Sequence, residues 1–127
     1  MGTHYYFIQE KTLDEIFAPA VKAKSKNRNF RRWIEPADSY YAMGWRVLNF
    51  KRDTLLYHGG YINGYRSEIA INRKNKIGIC VLGNGPGQLV DNSIPYFFRL
   101  YFNQRDAIQR WDYEQNLKTL SPEVTKR

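Results

Sequence analysis

The part of the chain best suited to chemistry is the segment from Tyr57 to Tyr65, which combines a histidine with three glycines. His58, Gly59 and Gly60 stand at the predicted end of a strand. Two glycines there let another molecule approach the backbone closely, and a strand edge offers N–H donors to an extended substrate or a developing oxyanion. The segment therefore predicts a binding or catalytic edge. A glycine-rich β-bulge with an incidental histidine is the alternative interpretation.

Other classes of site find little support in the sequence. The only histidines are His4 and His58, and no HExxH or paired CxxC pattern occurs, so we predict no bound metal and no cofactor. No GxSxG elbow is present, and the glycines from Gly83 to Gly87 are not followed by Lys-Ser or Lys-Thr. Cys80, the single cysteine, lies in an apolar run, which predicts a buried and inert thiol.

Short motifs elsewhere in the chain extend this pattern in a fixed order. They are Tyr41-Ala42-Met43-Gly44-Trp45, His58-Gly59-Gly60, Gly64-Tyr65, Ile77-Gly78-Ile79 and Leu82-Gly83-Asn84. In order and spacing the set resembles the C-terminal part of class C β-lactamases, their DD-peptidase relatives and related esterases. That family shows a Tyr-x-x-Gly-Trp strand, then Lys-Thr-Gly or His-x-Gly, Gly-Phe, Ile-Gly-Ile and Leu-x-Asn. The resemblance covers roughly residues 12–103, since residues 13–21 also look like the helix and loop that precede this strand in the family.

The resemblance implies a role for each residue of the histidine-glycine segment. His58, Gly59 and Gly60 would form the third conserved box of the family and bind substrate, and Gly64 would shape the loop beyond. The backbone N–H of Tyr61 would be one of two oxyanion-hole donors. His58 stands where many relatives have Lys, and an imidazole changes charge near neutral pH. Binding of a substrate carboxylate should then be weaker and more pH-dependent, which favours peptidase-like, esterase-like or other acyl-transfer activity.

The catalytic nucleophile of that family does not occur in the chain. It is the Ser of a Ser-x-x-Lys motif, and the third residue after each of the five serines is Arg28, Ala42, Ala70, Tyr96 or Val124. The Tyr-x-Asn element should precede the His-Gly-Gly strand, and the two segments that match it by letter, at residues 61–63 and 101–103, follow it. The chain is therefore expected to be the C-terminal part of a serine hydrolase domain, inactive alone.

The elements that would position these residues are a small sheet and two or three helices. Thr12 to Glu15 has capping-box form and predicts a short helix that Pro19 limits. Four strands are predicted at residues 41–50, 54–58, 68–71 and 77–82, with a glycine-rich loop opening at residues 59–64. An aromatic stripe from Ile94 to Phe102 predicts a helix lying on the sheet, and residues 106–120 a further one. The fold class is therefore α+β: an antiparallel sheet of about four strands packed by a C-terminal helix, as part of a β-lactamase-like or transpeptidase-like fold.

The chain of 127 residues is read as a single partial domain with a frayed tail at residues 121–127. Its formal charge of +8 raises a second hypothesis, a non-enzymatic module that binds an anionic polymer or a protein through the basic residues 22–32. The usual meaning of a charge run is a solvated surface, so nucleic acid is not the expected partner.

The resemblance favours three partners: the N-terminal region of the parent protein, a substrate bound in that parent, and a second copy through strand exchange. The resemblance implies a bacterial periplasm or cell envelope. Residues 1–10 show no signal-peptide pattern.

Overall fold

The computed structural model describes residues 7–23, 38–50, 52–85 and 88–120, with side chains as far as residue 106. The elements in chain order are α1 (Glu10–Phe17), β1 (Val21–Lys22), β2 (Asp38–Tyr41), β3 (Arg46–Asn49), β4 (Thr54–Ile62), β5 (Tyr65–Asn72), β6 (Ile77–Gly83) and α2 (Gln88–Leu120). The α+β class is confirmed. His4, most of the basic residues 22–32 and the tail at 121–127 lie outside the described residues.

The sheet is an antiparallel meander in which each strand pairs with the next along the chain, in the order β1 to β6. It has six strands in the described residues, so the predicted number of about four is wrong. The prediction treated residues 41–50 as one strand. A turn between Tyr41 and Arg46 divides them instead, with Gly44 at φ +76°, and the short β1 pairs with β2.

The longest hairpin, β4–β5, corrects the predicted loop at residues 59–64. Strand β4 continues through Gly59 and Gly60 to Ile62, and only Asn63 and Gly64 form the turn. Both turn residues have positive φ, 48° and 86°. Asn-Gly is the pair that a two-residue type I′ turn prefers, because its twist matches that of the flanking strands. This local signal was available in the sequence and was overlooked.

Helix α1 begins three residues earlier than the capping box predicted. Its first residue is Glu10, and the preceding Gln9 makes no side-chain cap hydrogen bond, so Thr12 and Glu15 lie inside the helix. It ends at Phe17, before Pro19, as predicted. Arg73 in the β5–β6 turn forms an ion pair with Asp14 (2.7 Å) and lies over the Phe17 ring. These contacts hold α1 against the sheet.

Each face of the sheet buries a different group of side chains. The Tyr57 face carries Leu48, Leu55, Tyr57 and Ala70, of which all but Tyr57 are fully buried. The opposite face, the His58 face, has a second cluster formed by Ala42, Val47 and Leu56, with Phe17 and Trp45 packed against it. Beyond that cluster the His58 face is open: Cys80 is exposed and Leu82 is 75% exposed. The predicted burial of Cys80 is therefore wrong, because alternation turns its side chain to this open part.

Helix α2 is a single helix from Gln88 to Leu120, where two were predicted. Pro95 lies inside it and removes one intrahelical hydrogen bond. The chain divides into two compact units, Met1–Pro95 and Tyr96–Arg127. In the first, Val90 and Ile94 are buried.

In the second unit the predicted aromatic stripe packs upon itself along the helix. Phe98 is 2% exposed and lies 5.7 Å from the ring of Phe102. The side chains of residues 107–120 lie outside the described part. No helix in the described residues combines the length and apolar composition that a membrane crossing requires.

Candidate functional site

Strand β4 extends well beyond its neighbour β3. Strand β3 pairs with residues 54–57 of β4, whereas β5 pairs with β4 as far as Ile62. Residues 58–62, called here the β4 extension, therefore have β5 on one side. On the other side no strand of the described residues covers them. This open edge is the segment that the sequence singled out.

The register shows which backbone groups point to the open edge. Pairs in an antiparallel ladder alternate between hydrogen-bonded pairs and pairs whose N–H and C=O groups point apart. A two-residue turn closes on a hydrogen-bonded pair, here Ile62 and Tyr65. Counting back along β4 from Ile62, Gly59 and Tyr61 belong to the pairs that are not hydrogen-bonded to β5. Their N–H groups therefore point away from β5, and the Tyr61 amide has the direction that the predicted oxyanion donor needs.

The His58 side chain is exposed and is oriented by the β2–β3 turn. Its Nδ1 lies 2.6 Å from the carbonyl oxygen of Gly44. A carbonyl can only accept, so Nδ1 carries the proton, and Nε2 of the neutral ring is left as an acceptor. The Trp45 ring lies beside it edge-on, with ring centroids 6.3 Å apart. The Gly44-Trp45 pair, predicted to lie within a strand, thus serves as a turn that positions the histidine.

The glycines of the segment lie where a side chain would meet its neighbours or strain the backbone. A Cβ on Gly59 would lie 2.8 Å from the Tyr57 hydroxyl, and one on Gly60 would lie 2.8 Å from Oγ of Ser67. Their small size therefore makes room for neighbouring side chains on the two faces of the sheet. Because strand side chains project from the faces of the sheet, the two glycines keep those faces, and not the edge, free of a side chain. Gly64 is at the hairpin tip, where its positive φ requires glycine.

A buried polar pair supports the β4 extension from the Tyr57 face. The Tyr57 hydroxyl donates to Oε1 of Glu68 at 3.0 Å, and both side chains are buried. Burial raises the pKa of Tyr57 above its ordinary value of 10.0, and the negative charge of Glu68 raises it further. Glu68 is also the cross-strand neighbour of Gly59. Sequence analysis overlooked this pair, because Glu68 fitted the polar position of an alternating strand.

Arg66 connects Tyr61 to the first turn of α2. Its guanidinium lies 5.1 Å from the centre of the Tyr61 ring and forms an ion pair with Asp91. The two charged side chains are 32% and 17% exposed. A cation over an aromatic face is attracted by the ring quadrupole, so Arg66 restrains the residue whose amide points to the open edge.

A shallow depression of about 620 Å³ borders the β4 extension. Its lining residues are Gly60, Tyr61, Ile62, Tyr65, Arg66, Ser67, Leu82, Gly83 and Asn84. Four of its apolar side chains are exposed to more than half their area: Tyr61 (65%), Ile62 (69%), Tyr65 (60%) and Leu82 (75%). The depression can hold an apolar group next to the polar edge.

The described residues place an outward amide, that of Tyr61, and an exposed imidazole, that of His58, three residues apart on one strand. They hold no activated nucleophile. Ser67, the serine nearest to the edge in the register, pairs across the strands with Gly60 and makes no hydrogen bond to His58. Within the described part of the chain no three His, Cys, Asp or Glu side chains form a group that could hold a metal ion. Comparison of the sequence and the structure with protein-family models, curated proteins and solved structures gave no match.

Proposed function

We propose that the chain is the C-terminal part of a β-lactamase-related serine hydrolase, and that the β4 extension forms one wall of its cleft. The observation that carries the proposal is the open edge at residues 58–62. There the Tyr61 amide points outward, and His58, three residues earlier in the same strand, is held by Gly44. The ordered motifs from Tyr41 to Asn84 support the same assignment. The β-lactamase-like fold and the bacterial envelope as its location are parts of this proposal.

The reaction is acyl transfer through an acyl-enzyme. A serine from the N-terminal region of the parent attacks the carbonyl of a β-lactam, a D-Ala peptide or an ester. The C–N or C–O bond then breaks, the leaving nitrogen or oxygen takes up the proton that the serine hydroxyl loses, and water later releases the acyl group from the serine. The carbonyl oxygen becomes negatively charged and accepts a hydrogen bond from the Tyr61 N–H, which is strongest where the charge develops. His58 faces the same cleft and offers Nε2 to a polar group of the substrate. Without Ser-x-x-Lys and Tyr-x-Asn the chain alone has no nucleophile, and removal of such a group reduces rates by many orders of magnitude.

The reading frame upstream of the gene segment for this chain tests the proposal directly. We expect a Ser-x-x-Lys motif followed by a Tyr-x-Asn motif, both before the Tyr41 strand. A parent protein containing them should be labelled at that serine by a fluorescent penicillin or a fluorophosphonate, and the chain alone should not be labelled. A frame that carries neither motif would refute the assignment.

The second hypothesis, a basic module for an anionic polymer, rests on residues 22–32, and most of these lie outside the described residues. Lys22, the first of them, pairs with Asp38 at 2.9 Å. Titration of the chain with single-stranded DNA and with heparin at two salt concentrations distinguishes the hypotheses. Binding that weakens steeply with salt would favour the module, and we expect none at physiological salt.

A further inference from the structure

Strand β6 is a long sheet edge without the features that usually protect one. It spans Ile77–Gly83 and pairs with β5 on one side, and no strand of the described residues lies beyond it. Edge strands are normally shielded by charged side chains, proline or a bulge. The β6 sequence, Ile-Gly-Ile-Cys-Val-Leu-Gly, contains no charge and no proline. The opposite edge, β1, has only two residues, and its Lys22 forms an ion pair.

The register fixes which β6 amides are open to a partner. The backbone N–H and C=O of Ile69 point to His58 in β4. This follows because hydrogen-bonded pairs alternate along the β4–β5 ladder, starting from the closing pair Ile62–Tyr65. Cys80 lies opposite Ile69 in β5, so its N–H and C=O point outward. By the same alternation Gly78 and Leu82 also point outward. The edge therefore presents three regularly spaced donor and acceptor groups with Cys80 at the centre.

We propose that two copies of this chain pair through β6, antiparallel and two-fold symmetric about Cys80, to form one continuous twelve-stranded sheet. Symmetry makes the interface isologous, so a residue before Cys80 faces the residue equally far after it. Ile79 then faces Val81 of the second copy on one face of the sheet. On the other face, Gly78 faces Leu82.

The sequence is complementary to itself in this register. Ile79 and Val81 are β-branched, and such cross-strand pairs stabilise a sheet. Leu82, 75% exposed in the single chain, lies opposite a glycine that leaves room for it. The two Cys80 side chains meet at the symmetry axis. They share one face, at the Cα separation of about 5.5 Å of a hydrogen-bonded pair, which a disulfide can span. A Cys80 disulfide would only detect the dimer, because the backbone pairing of the two β6 strands is what forms the interface.

The association state of the full chain under reducing conditions is the first measurement. Sedimentation velocity over a concentration series should show a monomer–dimer equilibrium, and mild oxidation should trap a Cys80-linked dimer. Cys80→Ser should still dimerise, because backbone pairing does not need the thiol. Cys80→Lys opposes two like charges at the axis and should raise the dissociation constant about fivefold or more. A monomer at all concentrations, or dimerisation lost in Cys80→Ser, would overturn the proposal.

A matched control separates edge pairing from stacking of exposed apolar faces. Ile62→Lys places the same charge on another exposed apolar residue of the His58 face, at the tip of the β4–β5 hairpin and outside the proposed β6 pairing. It should leave the dimer intact. If it weakens the dimer as much as Cys80→Lys does, the two copies associate through the open face and the proposed edge is wrong.

Amide hydrogen exchange supplies a test that does not depend on variants. In the monomer the outward amides of Gly78, Cys80 and Leu82 should exchange rapidly, while those of Ile79 and Val81 are protected by β5. Raising the concentration should protect the outward set alone. Equal exchange of the two sets at all concentrations would contradict the pairing. The outcome is independent of the proposed hydrolase function, which these measurements do not involve.

Discussion

At the scale of single residues, Gly59 and Gly60 are adjacent and occupy equally tight positions, but their neighbours differ in freedom. The Tyr57 hydroxyl beside Gly59 is buried and bonded to Glu68, whereas the Ser67 hydroxyl beside Gly60 is on an exposed side chain that can rotate. The same 2.8 Å approach should therefore have different consequences at the two positions.

We expect Gly59→Ala to lower the free energy of unfolding by about 1–3 kcal/mol, the range for inserting an extra methyl into a packed site. Gly60→Ala should change it by less than about 1 kcal/mol, because Ser67 can adopt another rotamer. Urea unfolding of both variants measures the difference. In a Tyr57→Phe background the Gly59→Ala penalty should shrink, since the clashing hydroxyl is gone. Equal penalties in the two backgrounds would mean that another contact makes Gly59 necessary.

The Tyr57–Glu68 pair predicts a loss of stability at alkaline pH. Burial and the Glu68 charge raise the folded-state pKa of Tyr57 above its value in the unfolded chain, near 10. Stability from this group is fully present below pH ~10 and is lost as the pH rises toward the folded pKa, because only the unfolded chain then releases the proton. Between pH 10 and 11.5 the free energy of unfolding should fall faster in the wild type than in Tyr57→Phe. The difference in slope is at most about 1.4 kcal/mol per pH unit. Parallel slopes would show that Tyr57 ionises equally in both states.

At the scale of elements, local sequence patterns predicted which segments form strands better than where those strands end. The alternation from Glu68 to Ile71 and the apolar run from Ile77 are confirmed as β5 and β6. The predicted strand ends were wrong at glycines, because a glycine can either end a strand in a turn or continue it. Gly59 and Gly60 were taken to end a strand, whereas they continue it beside bulky neighbours. Gly44 was placed within a strand, whereas it forms a turn.

The remaining features of the site depend on tertiary contacts that no local pattern contains. The bond from His58 to the Gly44 carbonyl joins residues fourteen apart in sequence, and the Arg66–Asp91 ion pair joins residues twenty-five apart. The open edge itself arises because β3 is four residues long and β4 is nine. Motif order located the segment, but only the lengths of neighbouring strands show that its backbone is accessible.

The β4–β5 turn is the element whose sequence matches its geometry most closely. Gly64 has φ +86° and no side chain near its Cβ position, so Gly64→Ala should be destabilising through backbone strain alone, by about 1–2 kcal/mol. Asn63→Gly should be within about 1 kcal/mol of wild type, because glycine also adopts positive φ. Thermal unfolding compares the two variants. A neutral Gly64→Ala would mean that the turn can adopt another type without loss of register.

At the scale of the whole molecule, the proposed hydrolase cleft and the proposed dimer use backbone edges that face in opposite directions across the same sheet. The β4 extension is open toward the side of β3, and β6 is the sheet's last strand. The edge that would contact substrate is therefore free in the proposed dimer. Two copies would carry two separate β4 extensions, and pairing through β6 would leave both of them accessible.

The backbone of Tyr61 provides the sharpest test of the hydrolase proposal in the parent protein. Tyr61→Pro removes the Tyr61 N–H, one of the two that point to the open edge, and leaves the β5 ladder intact, since proline is tolerated where its missing donor faces outward. We expect acylation by a fluorescent penicillin or fluorophosphonate to slow by about 10²–10³-fold, the effect of losing one oxyanion donor.

Tyr61→Ala is the matched control, because it loses the ring and the Arg66 contact but keeps the amide. Its acylation rate should stay within about tenfold of wild type. Urea unfolding of all three proteins shows whether each is folded. If Tyr61→Ala and folded Tyr61→Pro slow acylation equally, the side chain matters rather than the amide, and the β4 extension does not supply the oxyanion donor.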